Sequence, residues 1–134
     1  MNIVITGGSS GIGRETAERL SEDSGNRIWA IARSEKALLA VSGASRHNNI
    51  VAVPMDITSG RSSLRELKKR LETEAGKVDI LINCAGHLVN KPFEEHSEED
   101  ISSSVAVNFT AAALLSAELL PLMSKGAHVV NIGS

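Results

Sequence analysis

Five short, uninterrupted apolar runs punctuate this chain: "NIVIT" (2–6), "RIWAIA" (27–32), the middle of "NIVAVPMD" (49–56), "VDILINCAG" (78–86) and "AHVVNIGS" (127–134). Each is rich in β-branched residues, and the first four are followed by turn-forming residues, which predicts buried strands. Between them, apolar residues recur at helical spacing. Residues 11–22 place Ile12, Thr16, Ala17 and Leu20 on one face. Residues 34–43 open on Ser34 as an N-cap. Residues 63–76 carry the stripe Leu64, Leu67 and Leu71, with Ser63 and Glu66 fitting a capping box and Gly76 a C-cap. Residues 97–123 read as a long helix, or a short helix feeding one, with Ser97 and Asp100 as its capping pair. Strands that alternate with helices imply parallel pairing through right-handed crossovers. Continuous apolar strands imply cover on both faces. The expectation is a doubly wound α/β domain spanning residues 1–134, with strand order 3-2-1-4-5.

The densest chemistry lies between the first strand and the first helix. Gly7, Gly8, Gly11 and Gly13 sit there with Ser9 and Ser10. A phosphate cradle needs a tight turn that tolerates positive φ and lets a ligand approach bare backbone. Unpaired N–H groups at a helix start, at the positive end of its dipole, then hold the anion. The competing reading is that these glycines serve only close strand–helix packing. A Walker-type nucleotide loop is excluded, because Arg14 and Glu15 follow Gly13 where Lys and a hydroxyl residue are needed. The general dinucleotide pattern G-x-G-x-x-G is absent as well; the spacing is Gly7-x-x-x-Gly11-x-Gly13.

Composition narrows the partners. A net charge of −2 gives no electrostatic case for nucleic acid or an anionic membrane. The run from Val105 to Met123 is interrupted by Asn108, Ser116, Glu118 and Pro121, which argues against a membrane span. Cys84 is the only cysteine, so no disulfide forms within the chain, in keeping with a cytoplasmic location. His47, His87, His96 and His128 show no metal-ligand spacing, and no metal is expected. Lys68, Lys69 and Arg70 read as a solvated helix face, with Glu66 and Arg70 as an i,i+4 pair. Glu94, Glu95, Glu98, Glu99 and Asp100 suit the positive start of the long helix.

"TGGSSGIG" (6–13) resembles the Thr-Gly-x-x-x-Gly-x-Gly signature of the short-chain dehydrogenases/reductases. The likeness continues in order through Asp56 in "MDIT", "DILINCAG" (79–86), Asn108 in "VAVNFTAAALL" and "HVVNIGS" (128–134). It covers essentially the whole chain. One departure is Cys84, where the family most often has a second Asn. The resemblance implies a Rossmann-type sheet, with Gly7, Ser9, Ser10, Gly11, Ile12 and Gly13 around the diphosphate of a nicotinamide cofactor. It also implies Asn83, Ala85 and Gly86 on the ribose side. Asp56 would accept from the adenine amino group, with Ile57 against the ring; the alternative for Asp56 is a cap preceding the next helix. Asp79 reads as structural.

Cofactor choice turns on the end of the second strand, where an acidic residue would bind the adenosine ribose and repel a 2′-phosphate. Ala32 occupies that slot and Arg33 follows it. The resemblance therefore points to NADP(H) over NAD, with Arg33 pairing the 2′-phosphate and Ser9 assisting. The alternative for Arg33 is a solvated loop cation.

Members of the family move a hydride between nicotinamide and a carbonyl or alcohol carbon. A Tyr serves as general acid or base, assisted by a Lys, a Ser and a water-holding Asn. Ser134 matches that Ser and Asn108 matches that Asn, while the chain contains no tyrosine at all. His87 and Leu88 are placed near the nicotinamide or substrate. These 134 residues are expected to be the N-terminal part of a longer enzyme, inactive alone and lacking the family's C-terminal strands and helices. An uncovered edge at strand five and an uncovered face on residues 103–123 favour a homo-oligomer. A non-catalytic NADP-binding sensor or interaction module is the alternative.

Overall fold

The structure is a computed structural model that describes residues 1–133. Its elements run in chain order as strand β1 (Asn2–Thr6), helix α1 (Gly11–Leu20), β2 (Arg27–Ala32), α2 (Glu35–Ala44), β3 (Ile50–Pro54), α3 (Arg61–Glu74), β4 (Ile80–Asn83), α4 (Glu98–Val105), α5 (Ala112–Leu119) and β5 (His128–Asn131). The strands form one parallel sheet in the order β3-β2-β1-β4-β5.

Alternation along each strand builds two cores, one per face. Val4, Trp29, Val53 and Leu81 face α3 and α5, where Leu64, Leu67, Leu71, Leu115 and Leu119 meet them. Ile3, Ile5, Ile28, Ala30 and Ile82 face α1 and α2 through Ala17, Leu38 and Val41. A leucine buried as completely as Leu71 stabilises the fold by about 1.5–3 kcal/mol. The run from Glu98 to Leu122 has the length and apolar composition of a membrane span. In this fold its α5 portion presses Leu115 and Leu119 onto the sheet.

Several expectations change in detail. All four residues of β5 are exposed, so cover on both faces fails at that edge. The long helix is broken by a π-helical turn over Ala106–Ala111 and closed by a 3₁₀ turn over Leu120–Leu122. The strand expected over residues 78–86 pairs only from Ile80 to Asn83. Residues 84–86 leave the sheet instead, as the Thr6 hydroxyl captures the Cys84 and Ala85 amides.

The Ser63–Glu66 capping box does not form. The helix begins two residues earlier, behind Gly60, and has no side-chain cap. Arg70 turns from Glu66 to Glu74, at 2.9 Å, and lies 5.4 Å above the Trp29 ring. Lys68 approaches Glu118 of α5 at 4.0 Å. Gly76 does close α3, with φ +75° and its N–H donating to the Leu71 carbonyl. Ser34 caps α2 by accepting from the Ala37 N–H. Ser97 and Asp100 form the reciprocal box at α4. Lys91 and the Ser97 donors hold the Asp100 carboxyl well below the usual range.

Asp79 is structural, as its sequence context implies. Its carboxylate accepts from the Asn2 N–H at 2.7 Å and pairs with Lys77 at 2.8 Å, joining β1 to the start of β4. Lys77 first, and then the Asn2 amide, lower its pKa below 3.8. A carboxyl lowered on folding contributes stability that is complete above its unfolded pKa and is lost as pH falls through its folded one. Asp79→Asn is therefore expected to cost stability at neutral pH and to narrow the gap from wild type below about pH 4, the ordinary carboxyl range. Urea unfolding at pH 7 and pH 3 measures both; an equal loss at the two values contradicts the assignment.

Candidate cofactor site

A cavity of about 950 Å³ opens at the carboxyl ends of the strands, where open α/β sheets place their ligands. Its floor is the β1–α1 loop, contributing Gly7, Ser9, Ser10, Gly11, Ile12 and Gly13. Strand order sets its two ends. On the β2–β3 side lie Ala32, Arg33, Ser34, Met55, Asp56, Ile57 and Thr58. On the β4–β5 side lie Cys84, Ala85, Gly86, His87 and Ile132, with Ser103, Ala106 and Val107 from the long helix.

Close packing shapes the loop. A Cβ on Gly13 would stand 2.4 Å from the Gly7 carbonyl oxygen, and one on Gly8 would stand 2.9 Å from the Ala30 Cβ. A Cβ on Gly7 would meet Cys84 and Ala85 backbone at 3.0 Å. The loop is thus pressed between α1, β2 and the segment after β4. Gly7 and Gly11 both have positive φ, +71° and +52°, but among the described residues nothing stands within 4 Å of a Cβ added to Gly11.

Electrostatics at the start of α1 favour an anion. Ser10 is the N-cap residue, yet its side chain accepts no capping hydrogen bond, and the first turn has no acidic residue. Glu35 stands in the first turn of α2, and Glu98, Glu99 and Asp100 in that of α4. The α1 amides keep their donors and their share of the helix dipole for a ligand in the cavity. α3 also begins without a side-chain cap, but outside this cavity.

At the β2–β3 end, Arg33 is exposed and forms no ion pair within the described residues. Asp56 Oδ1 accepts from the Thr58 N–H at 2.9 Å and from its hydroxyl at 2.7 Å. Those two bonds, with a smaller contribution from Arg33, lower the Asp56 pKa against a modest opposing effect of burial. Asp56 is therefore an ionised acceptor facing the cavity, with Ile57 beside it.

At the other end, Thr6 organises the segment after β4. Its hydroxyl oxygen, on a residue only 2% exposed, accepts from both the Cys84 and Ala85 amides at 3.0 Å. Thr6→Val keeps the shape and orphans two N–H groups. The expected loss is about 1–3 kcal/mol of stability, read from urea unfolding; no loss contradicts that role.

Two sequence-assigned residues sit otherwise than expected. The Asn83 side chain does not line the cavity. Its nitrogen donates to Ser116 Oγ and Asn131 Oδ1, and its oxygen is buried without a partner among the described residues. Being in β4, it points across the sheet rather than over its rim. Asn108 lies in the π-helical turn, outside the cavity lining. Its Oδ1 accepts from the His87 N–H at 2.7 Å and its Nδ2 donates to the His87 carbonyl at 2.9 Å. Each polar atom of the amide makes one hydrogen bond to His87, which leaves Oδ1 a second lone pair and Nδ2 a second N–H. Ser134 lies outside the described residues.

Sequence reasoning missed some of the lining. Thr58 was discoverable from the Asp-x-Thr spacing, which suits an Asx-type turn. Ser103, Ala106 and Val107 share one helical face by spacing. Cys84 appeared only as a departure from a motif; in the structure it borders the cavity, and burial pushes its thiol pKa up.

Comparison with known proteins agrees with this geometry. The family model for short chain dehydrogenases matches residues 1–134. A dehydrogenase/reductase SDR family member, FEY, of Arabidopsis thaliana is 32% identical over all of this chain and 38% of its own length. A 2,3-dihydroxy-2,3-dihydro-p-cumate dehydrogenase of Pseudomonas putida is 34% identical over 98% of this chain and 52% of its own length. Among solved structures, a short-chain dehydrogenase from Streptomyces avermitilis superimposes with a TM-score of 0.88 at 29% identity, covering 99% of this chain and 48% of that one. A Serratia marcescens short-chain dehydrogenase/reductase variant gives 0.89 at 26% identity, covering 99% and 55%. The chain spans about half the length, or less, of these proteins. With the parallel sheet, the Gly7–Gly13 loop and a family match along its whole length, this chain belongs to the short-chain dehydrogenases.

Proposed function

We propose that this chain is the nucleotide-binding part of an NADP(H)-dependent oxidoreductase acting on a small carbonyl or alcohol substrate. The observation that carries the cofactor preference is the end of β2, where Ala32 leaves no carboxylate and Arg33 stands at the cavity without an ion pair among the described residues. The amides of Ser10 to Gly13 would hold the diphosphate. Arg33 and Ser9 would hold the 2′-phosphate. Asp56 would accept from the adenine amino group and Ile57 would cover the ring. Ala85 and Gly86 would border the ribose of the nicotinamide half.

When bound, the nicotinamide supplies or accepts the hydride. The chain's own part is to bind, orient and wall off that group. Asn108 contributes by fixing the His87 backbone, and Ser134 is proposed to hold the reacting oxygen. With no tyrosine in the chain, the family's usual proton donor is not among these residues, so this chain alone should bind without turning over. We assign it to the cytoplasm. We also expect self-association through exposed apolar side chains, including Val105, Phe109, Val129 and Val130, readable as a dimer or larger species in sedimentation.

Titration with NADPH and NADH, following dihydronicotinamide fluorescence, tests this reading. Tighter NADPH binding, with no oxidation of NADPH against a panel of carbonyl compounds, is the expected result. Equal affinities, or a preference for NADH, reject the cofactor assignment.

A further inference from the structure

We propose that the His87 imidazole is a cofactor-binding residue, contacting the nicotinamide-bearing half of the dinucleotide. This rests on the cofactor reading above and assigns a side chain to the end of the cavity where that reading has only backbone and apolar atoms.

Strand order separates the two halves of the ligand. Arg33 and Asp56 lie on the β2–β3 side, so the adenylate half belongs there, and the other half falls on the β4–β5 side. Protic side chains are scarce on that side. Ser103 donates its hydroxyl hydrogen to the Asp100 carbonyl at 3.0 Å. Cys84 is partly buried, with its thiol held protonated. His87 remains: it is exposed, it lines the cavity, and among the described residues its hydrogen bonds are made by its backbone and not by its ring nitrogens.

The position is also a held one. Asn108 grips His87 at both its N–H and its carbonyl, so the backbone that carries the imidazole is fixed from two sides. A ring on a fixed backbone loses less freedom when it binds. Imidazole can donate from one nitrogen and accept at the other. Ribose hydroxyls and a carboxamide offer matching acceptors and donors, whereas the 2′-phosphoadenylate half reaches the opposite end of the cavity.

The test compares NADP⁺ with 2′,5′-ADP, which lacks the nicotinamide half. Imidazole resonances of the intact chain are followed by NMR, with His87 assigned by the loss of its signal in His87→Gln. NADP⁺ should move the His87 signal and 2′,5′-ADP should leave it in place. His87→Ala should weaken NADP⁺ about three- to tenfold, as expected for one hydrogen bond, and change 2′,5′-ADP less than about twofold. His87→Gln should recover part of the loss.

The inference is overturned if NADP⁺ binds and the His87 signal stays still, or if both ligands move it equally. Equal weakening of the two ligands by His87→Ala also overturns it, since that marks a structural role. Should neither ligand bind, the cofactor reading itself fails and the assignment of His87 falls with it.

Discussion

Gly13→Ala is expected to abolish practical nucleotide binding while leaving a folded, less stable chain. The added Cβ would sit 2.4 Å from the Gly7 carbonyl oxygen and 2.8 Å from its carbonyl carbon. Both are backbone atoms, and Gly7 has nowhere to retreat, because Cys84 and Ala85 stand behind it. Either α1 moves away from β1 or the loop deforms, and each displaces the amides that would hold the diphosphate. Overpacking of this kind costs about 1–3 kcal/mol of stability. Losing two charge-assisted amide bonds weakens binding on the order of 100-fold or more. Gly43→Ala is the control: it lies in α2, nothing stands within 4 Å of its Cβ, and gained helix propensity should stabilise by up to about 1 kcal/mol. Calorimetry with NADPH reads the first effect and thermal unfolding the second. Gly13→Ala with wild-type affinity would remove the loop from the account.

Arg33→Asp is expected to exchange the cofactor preference. Arg33 is exposed, so its pairing with a 2′-phosphate is screened by solvent and weaker than a buried pair would be. A charge-assisted bidentate contact, so discounted, corresponds to about a 10- to 50-fold loss of NADPH affinity. The new carboxylate would repel the 2′-phosphate and offer the ribose hydroxyls of NADH an acceptor, so NADH affinity should hold or rise. NADPH binding to wild type should also weaken with salt more steeply than NADH binding, since only the former involves the exposed pair. Fluorescence titrations at low and physiological ionic strength check both points. Unchanged NADPH affinity in the variant would make Arg33 a solvated cation and nothing more.

Much of the fold was legible because local and long-range signals agree. The runs at Ile3–Ile5, Ile28–Ile31 and Ile50–Val53 are continuous; the first two are buried throughout, and the third is buried at Ile50 and Val53 and half-buried between them. Ser34, Ser97 and Gly76 act where their chemistry places them. The misreadings share a cause: a competing partner, near in sequence or far, displaces the expected one. Ser63 and Glu66 have capping chemistry, but the turn at Gly60 starts the helix earlier. Arg70 prefers Glu74 and the Trp29 ring to Glu66. Residues 84–86 look like strand until the Thr6 hydroxyl draws the Cys84 and Ala85 amides away.

The site divides in the same way. Motif spacing located the glycine loop, Arg33, Asp56, Ala85 and Gly86, all of which border one cavity. Motif spacing cannot say where a strand side chain points, and Asn83 turns toward Ser116 and Asn131 instead. Nor can it reveal a side chain whose partner is backbone 21 residues away, as with Asn108 and His87. The β5 edge was legible as an open edge but not as an exposed one on both faces; that depends on which helices are present to cover Val129 and Val130.

The central claim is that bare amides at the start of α1 grip the diphosphate of a nicotinamide nucleotide. A crystal structure of the chain grown with NADP⁺ tests it most directly. The account predicts diphosphate oxygens about 2.7–3.2 Å from backbone nitrogens within residues 10–13. A nucleotide bound elsewhere, or a loop closed over its own amides with the ligand present, would contradict it.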